Sequence, residues 1–442
     1  MRFKVLLAGL AALSLNASSF AQNAAQPPAT TAGDFSPAAF RGHVAFLADD
    51  LLEGREAGTR GYDLAARYVA SQFEVLGLTP AANGSFFQPV EFVRYVNEGP
   101  ATITVGGRSF ENGTDVIFRA NPSPEAVSVE APLVFVGYGL DLPAAGLNDY
   151  AGLNVRGAIV VALNGTPSDL PSDVAAHVNS DKRRMAAARG AAGMIILRGR
   201  AESQRTPFAR LTGAANRPGT TWLGRDGRPH SESGALRFSA TVDSAAAEAI
   251  FAGARRSFNE VLDEAARPGA RPRGFALRQR ARVTQAAATE TRFSSPNVVA
   301  VLPGTDPALA NEYVLLMAHL DHIGIREGGE GDRIRNGAMD NASGIATLLE
   351  VARTMSRPEN RTRRPVLIAA VTAEEKGLLG ADFMARHPVV DGRVVGVVNL
   401  DMPVLTYNFE DVIAFGAEHS TMGPIVERAA ARMGVALTPD PL

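Results

Sequence analysis

Three short apolar runs in the last third of the chain each stop at acids or histidines. That repeated stop constrains the fold more than any other feature. The runs are "EYVLLMAHLDH", "PVLIAAVTAEE" and "VVGVVNLDM", and a further run, "DVIAFGA", follows them. Each is short and rich in Val, Ile and Leu, as buried strands are. Between them lie helical patterns, "SGIATLLEVARTM" and "LGADFMARH". Strands alternating with helices predict an α/β domain with a mainly parallel, mixed sheet flanked by helices. In such a sheet the carboxyl ends of the strands form one rim, where ligand sites sit. His319, Asp321 and His322 end the first run, Glu374 and Glu375 the second, and Asp401 the third, while Asp340 in "MDNASG" stands just before a helix. One charged strand end is a solvated turn in most proteins. Four clusters falling on one rim are not explained by solvation.

With 442 residues the chain is long enough for two or three domains. "MRFKVLLAGLAALSLNASSFAQ" has Arg2 and Lys4, an apolar run from Val5 to Leu15, and Ser19 and Ala21 at the −3 and −1 places of a cleavage site. Residues 1–21 therefore read as a secretory signal peptide, too short in its apolar part for a membrane span. A soluble protein outside the cytoplasm, secreted or periplasmic, is expected. Loss of Arg2 and Lys4 takes the net charge from −2 to −4, which gives no reason to expect a nucleic-acid partner. There is no cysteine, so disulfides, thiolate ligands and a cysteine nucleophile are excluded together.

Residues 22–37 are rich in Pro, Ala and Thr and read as a disordered lead-in. Residues 38–127 begin a domain. A glycine-punctuated loop, "LLEGREAGTRG", precedes a helix whose apolar stripe is Leu64, Tyr68, Val69, Phe73 and Leu76. Residues 128–250 form a separate strand–helix–strand unit, in which "SDKRRMAAARG" is a helix capped by Ser180 and stopped by Gly190. An Arg/Pro/Gly-rich connector, 251–290, leads into the α/β block at 291–442.

Oxygen and imidazole donors without thiolate suit Zn²⁺, with Mn²⁺ or Co²⁺ behind it. One aspartate can bridge two ions, and of two adjacent glutamates one can bind metal while its neighbour takes a proton from water. The order H-x-D, D-N-x-S-G, E-E-x-G and "NLDM" resembles the two-zinc aminopeptidases of clan MH, of the leucyl aminopeptidase and plasma glutamate carboxypeptidase type. "DDLLEGREAGTRGYDLAARYVASQFEVLGL" resembles the opening of the same peptidase domain. The 128–250 unit resembles the β-rich α+β protease-associated (PA) domain that many members carry as an insertion. Nearly the whole chain after residue 21 is covered.

The resemblance implies that His319 binds one zinc, with Asp321 orienting its imidazole, and that Asp401 completes that ion's set. Asp340 would bridge both zincs, in a turn shaped by Asn341, Ser343 and Gly344. Glu374 would be the general base and then the acid to the leaving amine, and Glu375 would bind the second zinc. His322 has no ligand role in this scheme. The expected activity is removal of the N-terminal residue of peptides through metal-activated water. The alternatives are a carboxypeptidase or dipeptidase of the same fold, for which Arg326, Arg333 or Arg335 could supply a cationic pocket, and a non-catalytic binding module like the transferrin receptor.

One departure stands out. The family's second zinc takes a histidine from an S-D-H-x-x-F segment near the carboxyl end. After Asp401 the sequence holds only His419, in "FGAEHSTMGP", outside that context. The expectation is a chain shortened before that segment, with the ligand beyond Leu442 and impaired binding of the second metal.

Overall fold

In the computed structural model, residues 35–234, 236–403, 410–414 and 416–439 are described. The expected signal peptide lies outside them, as does most of the lead-in. Among the described residues no helix is long and apolar enough to cross a membrane.

The central sheet is built, in chain order, from β1 (Phe87–Val96), β2 (Gly219–Trp222), β3 (Thr289–Leu302), β4 (Glu312–His319), β5 (Val366–Val371) and β6 (Arg393–Leu400). Across the sheet they run β2–β1–β3–β5–β4–β6, and a two-residue strand, Thr79–Pro80, also lies against β3. The sheet is mixed, but its parallel part is confined to β5–β4–β6 and the other pairings are antiparallel. The sequence pointed to the parallel part because helices separate those strands. The antiparallel partners β1 and β2 come from distant segments that no local periodicity links.

Helices α1 (Pro37–Leu47), α2 (Arg60–Val75) and α3 (Ser343–Met355) cover one face, and α4 (Leu379–Arg386) the other. Every residue of β5 is buried, because its alternate side chains meet different layers. Val366, Ile368 and Ala370 pack toward α2 and α3, whereas Leu367, Ala369 and Val371 share a cluster with Met384 of α4. Thr59 caps α2 by accepting the Tyr62 N–H. The buried face of α2 is Tyr62, Ala65, Ala66, Val69, Ala70 and Phe73, so it is rotated from the expected stripe, and Leu64 is exposed. Small alanines let that face approach the sheet, and a stripe chosen by side-chain size missed them.

A second, eight-stranded sheet has its own apolar core. Its strands include Ala101–Val105, Arg108–Glu111, Val116–Phe118 and Phe275–Gln285 besides those between 127 and 242. This unit is therefore wider than the expected 128–250. The 251–290 segment is no mere connector, since it supplies a helix with a capping box, Phe258–Ala265, and the long strand Phe275–Gln285. Ser180 ends one helix, Ser172–Ser180, rather than capping the next, Lys182–Ala188. Gly190 does follow that helix, with a left-handed φ of 78°. Within the same stretch β2 leaves to join the central sheet, where the Trp222 indole donates to Asp382 of α4 at 2.8 Å.

Candidate metal centre

Register alone brings three of the acid-bearing stops together. His319, the last residue of β4, lies level with Val371 of β5, and Ala318 lies level with Leu400 of β6. The chain beyond Val371 therefore delivers Glu374 and Glu375, and the residue after Leu400 delivers Asp401, beside one imidazole.

His319 is 3% exposed, and its Nε2 is buried with no hydrogen-bond partner. That nitrogen lies 3.1 Å from Asp340 Oδ1, 3.5 Å from Asp401 Oδ1 and 4.0 Å from Glu374 Oε2. An orphaned buried nitrogen facing two carboxylates is costly in itself and calls for a cation. Donors bonded at about 2.0–2.1 Å around a tetrahedral ion stand roughly 3.3 Å apart, and the two observed spacings straddle that value. The residues fit a divalent ion.

Asp340 sits in a turn, Ala338–Ala342, that leads directly into α3. Asn341 beside it is 1% exposed and holds the site together. Its amide donates to the Leu400 carbonyl at 2.8 Å, while its oxygen accepts from Gly344 N at 3.0 Å and Met402 N at 3.2 Å. Asn341 thus ties the Asp340 turn to the residues on either side of Asp401. A Cβ on Gly344 would fall 2.2 Å from Asn341 Oδ1. Gly344→Ala is expected to cost about 1–3 kcal/mol through overpacking. It should also weaken zinc binding about tenfold, since Asn341 orients two donors. Denaturation and metal titration would check this, and an unchanged variant would remove Asn341 from the account.

Asp321 differs from its expected role. The His319 Nδ1 is 3.1 Å from the Asp321 main-chain oxygen but 3.9 Å from its carboxylate. The fully buried carboxylate instead accepts the Glu374 N–H at 3.0 Å and the Glu375 N–H at 3.3 Å. It anchors the backbone of the glutamate pair. This offsets strain just upstream, where buried Ala373 takes a left-handed φ of 53° at a cost of about 1 kcal/mol. Burial pushes the Asp321 carboxyl up to about 7, opposed by the Glu374 N–H, the His319 ring and the Glu375 N–H. Glu374 is also raised, first by burial and then by the neighbouring Glu375, Asp401 and Asp340 carboxylates, with His319 pulling the other way.

Two residues outside the expected set belong to the centre. His322 Nδ1 is 2.6 Å from Glu375 Oε1 and 4.0 Å from Asp340 Oδ2. Arg55, fully buried, donates to the carbonyls of Leu320 (3.0 Å), Asn336 (2.6 Å), Gly337 (3.0 Å) and Leu47. One guanidinium so clamps the residue between His319 and Asp321 to the approach to Asp340. Burial lowers Arg55 to about 10, and the Asp321 and Asp340 charges oppose that. Nearby, Lys376 pairs with Glu56 at 2.5 Å. Arg326, Arg333 and Arg335 are exposed on the loop between the ligand motifs. The side chain of His419 lies outside the described residues.

A further histidine–carboxylate group, His230, Glu232 and Asp382, lies elsewhere. Arg386 already bonds Asp382 at 2.7 Å and Glu232 at 3.2 Å, which supplies those carboxylates with a cation.

Residues 297–442 match the model of Peptidase family M28, and this segment carries every residue of the expected site. Among solved structures, an aminopeptidase from Aneurinibacillus sp. strain AM-1 is 24% identical with a TM-score of 0.51, over 92% of this chain and 80% of that one. A peptidase M28 precursor from Shewanella amazonensis SB2B is 17% identical with a TM-score of 0.41 over the same shares. The zinc aminopeptidase BSAP from Bacillus subtilis is likewise 17% identical, at a TM-score of 0.39 and the same coverage. The Aneurinibacillus likeness extends across both sheets and places this chain in the same fold.

Proposed function

We propose that this chain is a zinc-dependent exopeptidase that removes N-terminal residues from peptides. The observation that carries the reading is the buried, unpartnered His319 Nε2 facing Asp340 and Asp401 at ligand spacing. His319, Asp340 and Asp401 would hold one ion, and Glu375 with the second oxygen of Asp340 would contribute to a neighbouring one. Bound there, such ions polarise a carbonyl and acidify water.

The protein's own part is proton transfer and positioning. Glu374 Oε2 stands 4.0 Å from His319 Nε2, too far for a hydrogen bond, so the carboxylate is free to accept a proton from water at the centre. From there the same carboxyl group can take that proton and return it to the leaving amine. Asp321 holds the Glu374 and Glu375 amides and so fixes the backbone from which both carboxylates project. The apolar run before Ala21 supports export as the setting of this activity.

The test is hydrolysis of aminoacyl-nitroanilides against their N-acetyl counterparts, before and after chelation and zinc return. Chelation is expected to abolish activity and zinc to restore it, with the free amino terminus required. Zinc at 100 times its dissociation constant should also stabilise the fold by about 2.7 kcal/mol. Equal cleavage of blocked peptides would point to the carboxypeptidase alternative, and no hydrolysis with zinc restored would favour a binding module.

A further inference from the structure

We propose that His322 is a metal ligand, completing with Asp340 and Glu375 a second three-donor set for a divalent cation of the zinc class. The inference rests on reading His319, Asp340 and Asp401 as the first set, and it adds a donor that the sequence did not identify. His322 lies on the turn leaving β4, where its N–H donates to the Arg55 carbonyl at 3.2 Å. The same buried arginine that steadies His319 therefore steadies this histidine.

The carboxylate of Asp340 divides between the two imidazoles. Its Oδ1 lies 3.1 Å from His319 Nε2, and its Oδ2 lies 4.0 Å from His322 Nδ1. The His322 nitrogen is meanwhile 2.6 Å from Glu375 Oε1, and both of those side chains are largely shielded, 12% and 19% exposed. The three donor atoms all lie within 4.8 Å of one another. Against the roughly 3.3 Å edge of a tetrahedral set, one spacing is short and the other long. An ion entering here must part a hydrogen-bonded pair and draw Asp340 inward, whereas the first set is already spaced for its ion. The second ion therefore binds more weakly, and loading is ordered.

The rival role for His322 is that of a positioning residue, donating a hydrogen bond to Glu375 without touching metal. His322→Asn separates the two, because its amide nitrogen can donate from nearly the same place as Nδ1 but is a poor zinc ligand. Zinc stoichiometry of the full chain is read by equilibrium dialysis with elemental analysis, and cobalt titration reports each site by absorption. The expected result is two equivalents for the wild type, the second at least about tenfold weaker. His322→Asn and His322→Ala should keep the first equivalent and weaken the second by more than about 100-fold, beyond the 10–100-fold typical of losing an orienting hydrogen bond. Circular dichroism and the melting temperature of the metal-free variants control for folding. His322→Asn holding the second equivalent within about 100-fold of wild type would overturn the proposal alone, as would a wild type that binds one equivalent. A wild type that binds none would overturn the metal centre with it.

Discussion

Glu374→Gln is expected to lower kcat on an aminoacyl substrate by at least about 1000-fold, with KM, zinc content and melting temperature near wild type. General acid–base transfer is worth about 10²–10⁴ in rate, and the amide keeps the shape of the carboxylate while losing its basicity. Among the described residues, no hydrogen bond to the Glu374 side chain is seen, and its position is set through its backbone. The backbone there is held by Asp321, which takes the 374 and 375 amides at 3.0 and 3.3 Å. The first metal set, on His319, Asp340 and Asp401, does not include it. A variant that lost zinc together with activity would show Glu374 to be a ligand, and one that kept kcat within tenfold would remove it from proton transfer.

Arg55→Ala is expected to destabilise the protein by about 2–6 kcal/mol, because the two fully buried acceptors it serves, the Leu47 and Leu320 carbonyls, would each be left unpaired at about 1–3 kcal/mol. Four main-chain oxygens, of Leu47, Leu320, Asn336 and Gly337, would lose a charged donor inside the fold. Each unpaired carbonyl bears its own desolvation cost, and the nearby Asp321 and Asp340 carboxylates would lose a counter-charge. Because Leu320 follows His319 and the Asn336 and Gly337 carbonyls lie on the approach to Asp340, zinc affinity should fall with stability. Arg55→Lys should recover only part of the loss, since an ammonium has three donors and cannot reproduce the planar fork. Urea denaturation followed by tryptophan fluorescence, with zinc titration of each variant, provides the measurement. Unchanged denaturation of Arg55→Ala would sink the clamp.

The resemblance assigns the two glutamates separate roles, and nothing in the sequence says what supports them. Asp321 lies two residues from a candidate ligand histidine, and orienting that ring was the natural expectation. The backbone instead uses its own carbonyl for the ring, which leaves the carboxylate for two amides across the strand gap. Arg55 lay in a quoted glycine-rich loop, but an arginine there reads as solvated. Its burial exists only because residues 47, 320, 336 and 337 converge on it. His322 was visible as a letter in "HLDH", and no spacing rule distinguished a ligand from a rim residue.

The sequence by itself determined that acids and imidazoles would gather at the carboxyl ends of apolar strands. Apolar length, β-branching and the residues that stop each run are local properties of the chain, and the helices between runs compel parallel pairing. It also determined the absence of thiolate chemistry, since there is no cysteine. Only the tertiary structure decided which oxygen faces which nitrogen. That choice depends on β4 lying between β5 and β6, on the register that sets His319 level with Val371, and on a buried guanidinium drawn from residue 55. Each of these joins segments distant along the chain, and a hydrogen bond or a ligand set is satisfied by ångström spacing, not by order in sequence.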